Sequence, residues 1–154
     1  YGGSVANRVR FALEALDAII GAVGASRTGM KISPRIKFND VTDPDAEEVY
    51  PHLAREVSAR GIAYLHGAKQ GAYDVHEAVR PHFKGLYFSG AGMDQASGSA
   101  MLASGAAEAI VYGKLFIANP DLPRRFRNGL PLAVDNPKTH YAKGPEGYVD
   151  YPEA

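Results

Sequence analysis

Apolar residues recur at spacings of three and four between positions 5 and 23, which is the pattern of one face of an amphipathic helix. Ser4 stands immediately before this run as a typical N-cap, and Gly24 follows it as a typical helix stop. The sequence therefore predicts a helix over residues 5–23. Its core-facing positions are Val5, Val9, Leu13, Leu16, Ile20 and Val23.

Four short apolar runs further along the chain have the length and the flanking residues of β-strands. They cover residues 29–33, 62–66, 85–89 and 109–112. Helical patterns separate these runs. Apolar strands that are each followed by a helix are typical of a parallel sheet covered by helices, so the predicted fold class is α/β.

The helices between the strands are predicted from their start and stop signals. Asp43 is the expected N-cap of the second helix, with Pro44 as its first residue and Gly61 at its end. A weaker helix is predicted over residues 74–80, and a helix of small residues over 94–105.

The C-terminal part of the chain is less regular. One short helix is predicted over residues 122–128, stopped by Gly129, and its arginines are expected to form a solvated face. The segment from residue 130 onward is rich in Pro, Gly and Tyr and has no clear periodicity. It is expected to be an ordered arm if it packs on another surface and a frayed end if it does not. The arginines are Arg124, Arg125 and Arg127.

Composition narrows the class of protein. The chain has 154 residues, 45% of them hydrophobic, which is typical of a globular domain. Its 17 basic and 17 acidic residues cancel, so neither nucleic acid nor an anionic membrane is an expected partner. There is no Cys, no apolar run of membrane-spanning length and no signal-peptide layout, so a cytoplasmic setting fits best.

Two glycine-containing loops are the strongest candidates for a binding site. Ser89-Gly90-Ala91-Gly92 follows the third predicted strand, and Tyr112-Gly113-Lys114 follows the fourth. Equivalent loops of successive βα units are neighbours in space, and their amides together with the lysine are suited to a phosphate group. The alternative is that these glycines only make tight turns, and the spacing alone does not decide between the two.

Other polar residues give weaker signals. Lys31 lies near the C-terminal end of its strand, where barrel enzymes place catalytic groups, or it is a solvated strand end. His66 has a similar position, and we favour a structural role in which it hydrogen-bonds to a nearby carbonyl over contact with a ligand. The remaining histidines have no metal-ligand spacing, so no metal site is expected. No Ser-His-Asp or Cys-His arrangement supports a hydrolase.

Several longer motifs occur in order along almost the whole chain. They are Tyr1-Gly2-Gly3-Ser4 with Asn7-Arg8, Met30-Lys31-Ile32-Ser33-Pro34, Gly90-Ala91-Gly92, the run from Tyr112-Gly113-Lys114 through Asn119-Pro120-Asp121-Leu122, and Glu146-Gly147-Tyr148-Val149-Asp150-Tyr151-Pro152. Together they resemble the Old Yellow Enzyme family of flavin-dependent ene-reductases. The resemblance implies a (β/α)8 barrel that binds FMN and passes a hydride from NAD(P)H, through the flavin, to the β-carbon of an activated alkene.

The same resemblance implies roles for individual residues. Lys31 takes the place of the cation beside the pyrimidine ring of the flavin, and Tyr141 that of a tail aromatic near the flavin and the substrate. The family usually has Arg where this chain has Lys31 and Lys114, which keeps the charge but loses the bidentate fork, so flavin affinity or potential is expected to differ. The family's FMN phosphate-binding loops correspond here to Gly90, Ala91, Gly92, Gly113 and Lys114.

By this resemblance the chain corresponds to the C-terminal half of a (β/α)8 barrel, with four parallel βα units, a preceding helix and a C-terminal arm. We expect one partial barrel domain over residues 1–154, with the arm at 130–154 packed on it. The substrate-binding His/Asn or His/His pair and the Tyr proton donor of the family lie upstream, so no catalytic residue is expected within this segment. A half-barrel also leaves open strand edges and an apolar inner surface. We therefore expect that the segment pairs with a separate N-terminal half-barrel, associates with a copy of itself, or is part of a longer polypeptide.

Three functions are consistent with these features. The leading hypothesis is part of an NAD(P)H-dependent flavin oxidoreductase that reduces a small activated alkene and needs the N-terminal half for activity. The second is a catalytically silent fragment that keeps a phosphate-binding or flavin-binding surface. The third is a structural half-barrel that assembles through its strand edges and holds no cofactor.

Overall fold

The structure, a computed structural model, describes residues 1–37, 40–69 and 71–154. These residues form two compact units, Tyr1–Val111 and Tyr112–Ala154. The first unit contains helices α1 (Val5–Val23), α2 (Ala46–Ala59), α3 (Val75–Val79) and α4 (Gln95–Ala103). Its strands are β1 (Gly29–Ile32), β2 (Tyr64–Ala68), β3 (Leu86–Gly90) and β4 (Ala109–Val111). The second unit contains α5 (Lys114–Ala118) and α6 (Leu122–Asn128).

The sheet of the first unit has the order β1-β2-β3-β4, and each neighbouring pair is parallel. Four parallel strands that alternate with helices confirm the predicted α/β class. Each strand lies beside the strand that precedes it in the chain, which is the succession of βα units found along a barrel wall.

Helix α1 has the predicted bounds. The Ser4 hydroxyl accepts a hydrogen bond from the backbone N–H of Asn7, as expected of an N-cap. Val9, Leu13 and Leu16 are buried in one hydrophobic core that also contains residues of α2 and of the sheet. The 3.6-residue period of the sequence therefore identifies the face that packs. The prediction was wrong at the last position, since Val23 is 40% exposed at the C-terminal end of the helix.

The predicted start of α2 was wrong. The helix begins at Ala46 with Asp45 as its N-cap residue, and Asp43 lies in the preceding loop. The Asp43 carboxylate instead accepts a hydrogen bond from the backbone N–H of Arg35 at 3.1 Å. Arg35 has a positive φ of 55°, so this bond holds a turn that is unfavourable for a side-chain-bearing residue.

The predicted position of the second strand was also wrong. We expected residues 62–66, whereas β2 starts at Tyr64 and continues through Gly67 and Ala68. Gly67 lies within the strand, and the side chain of Tyr87 on the neighbouring β3 passes over it, which leaves no room for a side chain at position 67. A Cβ atom at position 67 would lie 2.0 Å from the Tyr87 hydroxyl oxygen. The glycine that suggested a loop is thus required for packing within the sheet.

The two faces of the sheet differ in burial. On the face toward the helices, Leu65 and Tyr87 are almost completely buried. The opposite face carries Tyr64 and Phe88, whose rings stack with centroids 4.6 Å apart, and Leu86, which is 51% exposed. Exposed apolar side chains on one face of a parallel sheet indicate a surface suited to further packing.

The second unit contains a helix that the sequence analysis missed, α5, and an arm that is held by buried polar side chains. The Asn119 amide donates to the carbonyl oxygens of Leu115 and Ala133, and its oxygen accepts from the N–H of Ala133. Since Asn119 is completely buried, these bonds fix the start of the arm to the end of α5.

The prediction of a solvated arginine face was wrong for Arg125, which is only 5% exposed. Its guanidinium donates to the Asp121 carboxylate at 2.6 Å and to the carbonyl oxygens of Pro131 and Pro152. Arg125 therefore connects α6 to both ends of the arm. Arg124 and Arg127 are exposed, as predicted.

Among the described residues, no helix combines the length and the apolar character needed to cross a lipid bilayer.

Candidate functional site

The loop after β3 has an unusual backbone. Ala91 and Gly92 follow the last strand residue with φ angles of 64° and 69°, both in the left-handed region. No described residue accepts a hydrogen bond from the backbone N–H of either one. Left-handed backbone at a residue with a Cβ costs roughly 1–2 kcal/mol, and such strain is concentrated at functional loops. Successive amides in this conformation are suited to binding an anion.

The strain at Ala91 leads to a stability prediction. Ala91→Gly should raise the free energy of unfolding by about 1 kcal/mol, because glycine adopts positive φ without steric cost. Urea unfolding followed by circular dichroism measures this change. Ala100→Gly is the matched control, since Ala100 is exposed within α4 and its replacement should lower stability by roughly 0.5–1 kcal/mol. A destabilised Ala91→Gly variant would contradict the strained geometry.

The loop after β4 begins at the same edge of the sheet. Strand β4 pairs with β3, with Gly90 opposite Val111, so both strands end side by side. The second unit starts at the next residue, Tyr112. Gly113 is the N-cap residue of α5 and Lys114 its first helical residue, and both are exposed. Lys114 forms no ion pair with any residue that the structure describes.

Lys31 lies on β1, directly beside His66 of β2 in the parallel register. Paired residues of neighbouring strands share a face, so Lys31 belongs to the face that carries Phe88 rather than the helix-covered face. Its side chain is exposed and has no ionic partner within the described part of the chain. A cation on this face, close to the carboxyl ends of the strands, is available to an anionic or electron-rich ligand.

One ring nitrogen of His66 lacks the hydrogen bond to a carbonyl that we favoured from the sequence. The Nε2 atom is buried and makes no hydrogen bond among the described residues, so the expected bond to a carbonyl is absent at that atom. A Cβ atom at position 90 would lie 2.5 Å from this nitrogen, so the imidazole lies against the backbone of Gly90. Burial and the nearby Lys31 lower the pKa of His66, which favours the neutral ring.

A second histidine forms a buried network that the sequence analysis missed. His76 Nδ1 lies 2.6 Å from the Tyr87 hydroxyl, and Nε2 lies 3.1 Å from the Ser89 hydroxyl. Asp74 caps α3 and forms an ion pair with Lys69 at 2.8 Å. The Asp74 cap was recognisable in the sequence, but the inward direction of His76 depends on tertiary packing.

The buried histidines make stability depend on pH. Burial lowers the pKa of His76 and of His66, so the unfolded chain binds protons more readily than the folded chain. Their contribution is complete above about pH 6.5, the ordinary histidine value, and is lost as pH falls below it. We therefore expect the urea midpoint to decrease between pH 7 and pH 5, with a shallower decrease in His76→Gln. Equal slopes in the two proteins would contradict the assignment.

Tyr141, predicted from the resemblance to lie near the flavin and the substrate, belongs to the arm of the second unit. Its side chain is 98% exposed, so it makes almost no packing contact within that unit. An aromatic ring left in this state is available to a ligand or to another protein surface. Its role stays a prediction.

Comparison with known proteins identifies the family. The sequence profile of the NADH:flavin oxidoreductase / NADH oxidase family matches residues 1–133. A putative 12-oxophytodienoate reductase 12 of Oryza sativa subsp. japonica is 41% identical, over 99% of this chain and 42% of that protein. A probable flavin mononucleotide-dependent alkene reductase of Leishmania infantum is 38% identical, over 99% and 43%. The chain thus spans about two fifths of these relatives' length.

Solved structures give the same result. Morphinone reductase in complex with tetrahydroNAD aligns over 100% of this chain and 43% of its own, with a TM-score of 0.92 and 39% identity. The old yellow enzyme of Trypanosoma cruzi aligns over 97% of this chain and 41% of its own, with a TM-score of 0.92 and 30% identity. These alignments confirm the predicted fold, four parallel βα units of a (β/α)8 barrel. From its sequence and its fold, this chain belongs to the NADH:flavin oxidoreductase / NADH oxidase family, the family of the Old Yellow Enzyme.

Proposed function

We propose that this chain carries the FMN phosphate-binding part of an NAD(P)H-dependent ene-reductase. The observation that carries the proposal is the loop after β3, in which two consecutive left-handed residues, Ala91 and Gly92, leave their amides without a protein acceptor among the described residues. A phosphate group satisfies such amides and offsets the strain of the loop.

The charges near the loops fit the same ligand. Lys114 follows β4 by three residues and has no ionic partner among the residues described, so its ammonium is available to a phosphate. Lys31 supplies a second cation, also without an ionic partner in the described part of the chain. It lies on the face of the sheet that carries Tyr64 and Phe88, here called the inner face, where it would bind the pyrimidine edge of the flavin. The ammonium group of a lysine acts as a compact point charge, whereas the planar guanidinium of an arginine donates two parallel hydrogen bonds. Contacts made by Lys31 and Lys114 therefore depend less on the orientation of the ligand than arginine contacts would.

The substrate class is proposed from the family and from the relatives. The names of the relatives include an alkene reductase and several 12-oxophytodienoate reductases. Bound FMN would supply the hydride-transfer chemistry that couples oxidation of NAD(P)H to reduction of an activated alkene at its β-carbon. Tyr141 would contact this substrate, while the proton donor and the residues that bind the activating group would come from the remainder of the barrel.

The exposed inner face is proposed to pack against that remainder, whether it belongs to the same polypeptide or to a separate one. Tyr64, Leu86 and Phe88 present apolar surface there. Strands β1 and β4 each pair with only one strand within the described residues, so both edges are open to further parallel strands.

Activity is tested by supplying the missing part of the barrel. This chain would be coexpressed with the segment of morphinone reductase that it does not match, and the purified assembly would be tested for bound FMN and for NAD(P)H oxidation with an enone. The proposal predicts a yellow assembly that reduces the enone. Bound FMN without turnover would support a silent flavin-binding fragment, and an assembly without FMN would support a purely structural half-barrel.

The phosphate contact is tested at Lys114. Lys114→Ala should weaken the binding of FMN about 10-fold or more, because a charge-assisted hydrogen bond contributes roughly 1.5–3 kcal/mol. Binding of riboflavin, which has no phosphate, should not change, and isothermal titration with both ligands measures the difference. Equal losses for the two flavins would contradict a phosphate contact by this lysine.

A further inference from the structure

The Nε2 atom of His66 is a buried polar group for which the first unit provides no partner. It makes no hydrogen bond among the described residues, and its accessible surface is close to zero. A polar atom left in this state destabilises the folded chain, and in native structures it marks a strain reservoir, a functional group or a ligand contact. No described cluster of His, Cys, Asp and Glu side chains has the arrangement of a metal site, so a metal does not account for it.

The position of His66 relates it to both proposed flavin contacts. It lies beside Lys31 of β1 in the sheet register, on the same face. Its imidazole also extends toward β3, on the side of β2 away from β1, and lies against Gly90. The imidazole therefore occupies β2, between the cation proposed for the flavin ring and the loop proposed for the phosphate.

Gly90 has to be a glycine for this arrangement. A Cβ atom there would meet His66 Nε2 at 2.5 Å and atoms of Val111 at 3.3 Å. The φ angle of Gly90 is not positive, so its backbone conformation does not by itself require glycine. The absence of a side chain at position 90 leaves room for the histidine ring at the start of the candidate phosphate loop.

The protonation state of His66 limits the kind of group that it recognises. Burial and the neighbouring Lys31 lower its pKa and favour the neutral ring, in which one nitrogen donates and the other accepts. A neutral imidazole beside an ammonium group is poorly suited to a cation. It is well suited to a hydroxyl group, which both donates and accepts.

On the basis of the proposed function, we propose that His66 is a flavin-positioning residue whose Nε2 hydrogen-bonds to a hydroxyl group of the ribityl chain of FMN. The ribityl chain joins the ring to the phosphate, and His66 lies between the residues proposed to hold those two ends. The contact gives the otherwise unpaired nitrogen a partner and fixes the linker relative to Lys31.

Three flavins separate this contact from the others. FMN has the ring, the ribityl chain and the phosphate, riboflavin lacks the phosphate, and lumiflavin lacks both the phosphate and the ribityl hydroxyls. Dissociation constants would be measured by NMR titration of the ¹⁵N-labelled chain, which detects weak binding. His66→Phe should weaken FMN and riboflavin about 5-fold, the value of one ordinary hydrogen bond, and leave lumiflavin unchanged. His66→Gln, which keeps a donor and an acceptor, should recover part of the loss.

A second measurement does not need a bound flavin. Because Nε2 is buried without a partner among the described residues, His66→Phe should leave the urea midpoint of the flavin-free chain unchanged or raise it.

A third measurement does use the flavins. The ¹⁵N signal of His66 Nε2 in the wild-type chain should shift with FMN and riboflavin but not with lumiflavin.

Each outcome decides one claim. If the wild-type chain binds FMN but His66→Phe binds all three flavins as the wild type does, the His66 inference is overturned and the proposed function stands. Equal weakening of all three flavins would also overturn it, since that result indicates a structural role. If neither the wild-type chain nor its assembly with the missing part of the barrel binds any of the three flavins, the proposed flavin site itself is overturned and the His66 contact with it.

Discussion

Gly67→Ala is expected to lower the free energy of unfolding of the first unit by about 3 kcal/mol. A methyl group at position 67 would lie 2.0 Å from the hydroxyl oxygen of Tyr87 and 2.9 Å from its Cζ atom. Tyr87 is completely buried, so its ring has no space to move into. Overpacking of this kind typically costs about 1–3 kcal/mol before any lost hydrogen bond is counted. Displacing the hydroxyl also breaks its contact with His76. Urea denaturation followed by circular dichroism measures the loss.

A matched glycine and a double mutant control this prediction. Gly21→Ala lies at an exposed position of α1 with no atom within 4 Å of the new Cβ, and it should stabilise the chain by roughly 0.5–1 kcal/mol. Tyr87→Phe removes the oxygen that clashes, so its combination with Gly67→Ala should cost less than the sum of the two single changes. Additive costs in the double mutant would contradict the proposed clash.

Arg125→Met is expected to have the largest effect in the second unit. The change removes hydrogen bonds to Asp121, Pro131 and Pro152. It leaves one oxygen of the Asp121 carboxylate and two carbonyl groups without their donor. Loss of this buried guanidinium should cost about 3 kcal/mol, in the range for breaking a buried charged pair. We expect the arm to be released, and cleavage at Lys138 and Lys143 by a lysine-specific protease measures its release.

Arg127→Met provides the comparison, because Arg127 lies on the same helix but is exposed. The two variants lose the same charge and gain the same side chain. Only Arg125→Met should accelerate cleavage of the arm. Similar cleavage rates in both variants would show that net charge, rather than the hydrogen bonds of Arg125, holds the arm.

Regular elements were predictable from the sequence where local signals and tertiary packing agree. Helix α1 has clear signals at both ends and a strong apolar period, and its predicted bounds are confirmed. Helix α6 ends at Gly129, which adopts the left-handed conformation of a helix stop. The parallel order of the strands followed from their alternation with helices.

The errors arose where a residue serves a distant partner. The sequence suggests that Gly67 is a loop residue, but it lies within β2, where the side chain of Tyr87 on the next strand leaves no room for a Cβ atom. The sequence suggests that Arg125 is one of several solvated arginines, but it is buried, and its guanidinium donates to the nearby carbonyl of Pro131 and to that of Pro152, 27 residues away. Helix α5 has only five residues and precedes Asn119-Pro120, so its local signal is weak.

The candidate site was predictable only in part. The glycines and the lysine of the two loops were chosen as candidates by position and by resemblance, and the structure adds the left-handed backbone of Ala91. The contact of His66 with Gly90 and the inward orientation of His76 were not predictable, because both depend on which side chains the folded sheet brings together.

The central claim is that the loop after β3 binds the phosphate of FMN. Its most direct test is the change in backbone amide chemical shifts when the ¹⁵N-labelled chain is titrated first with riboflavin and then with FMN. The account predicts that the amides of Ala91 and Gly92 shift with FMN far more than with riboflavin. Equal shifts of these two amides with both flavins, or no shift with either, would contradict it.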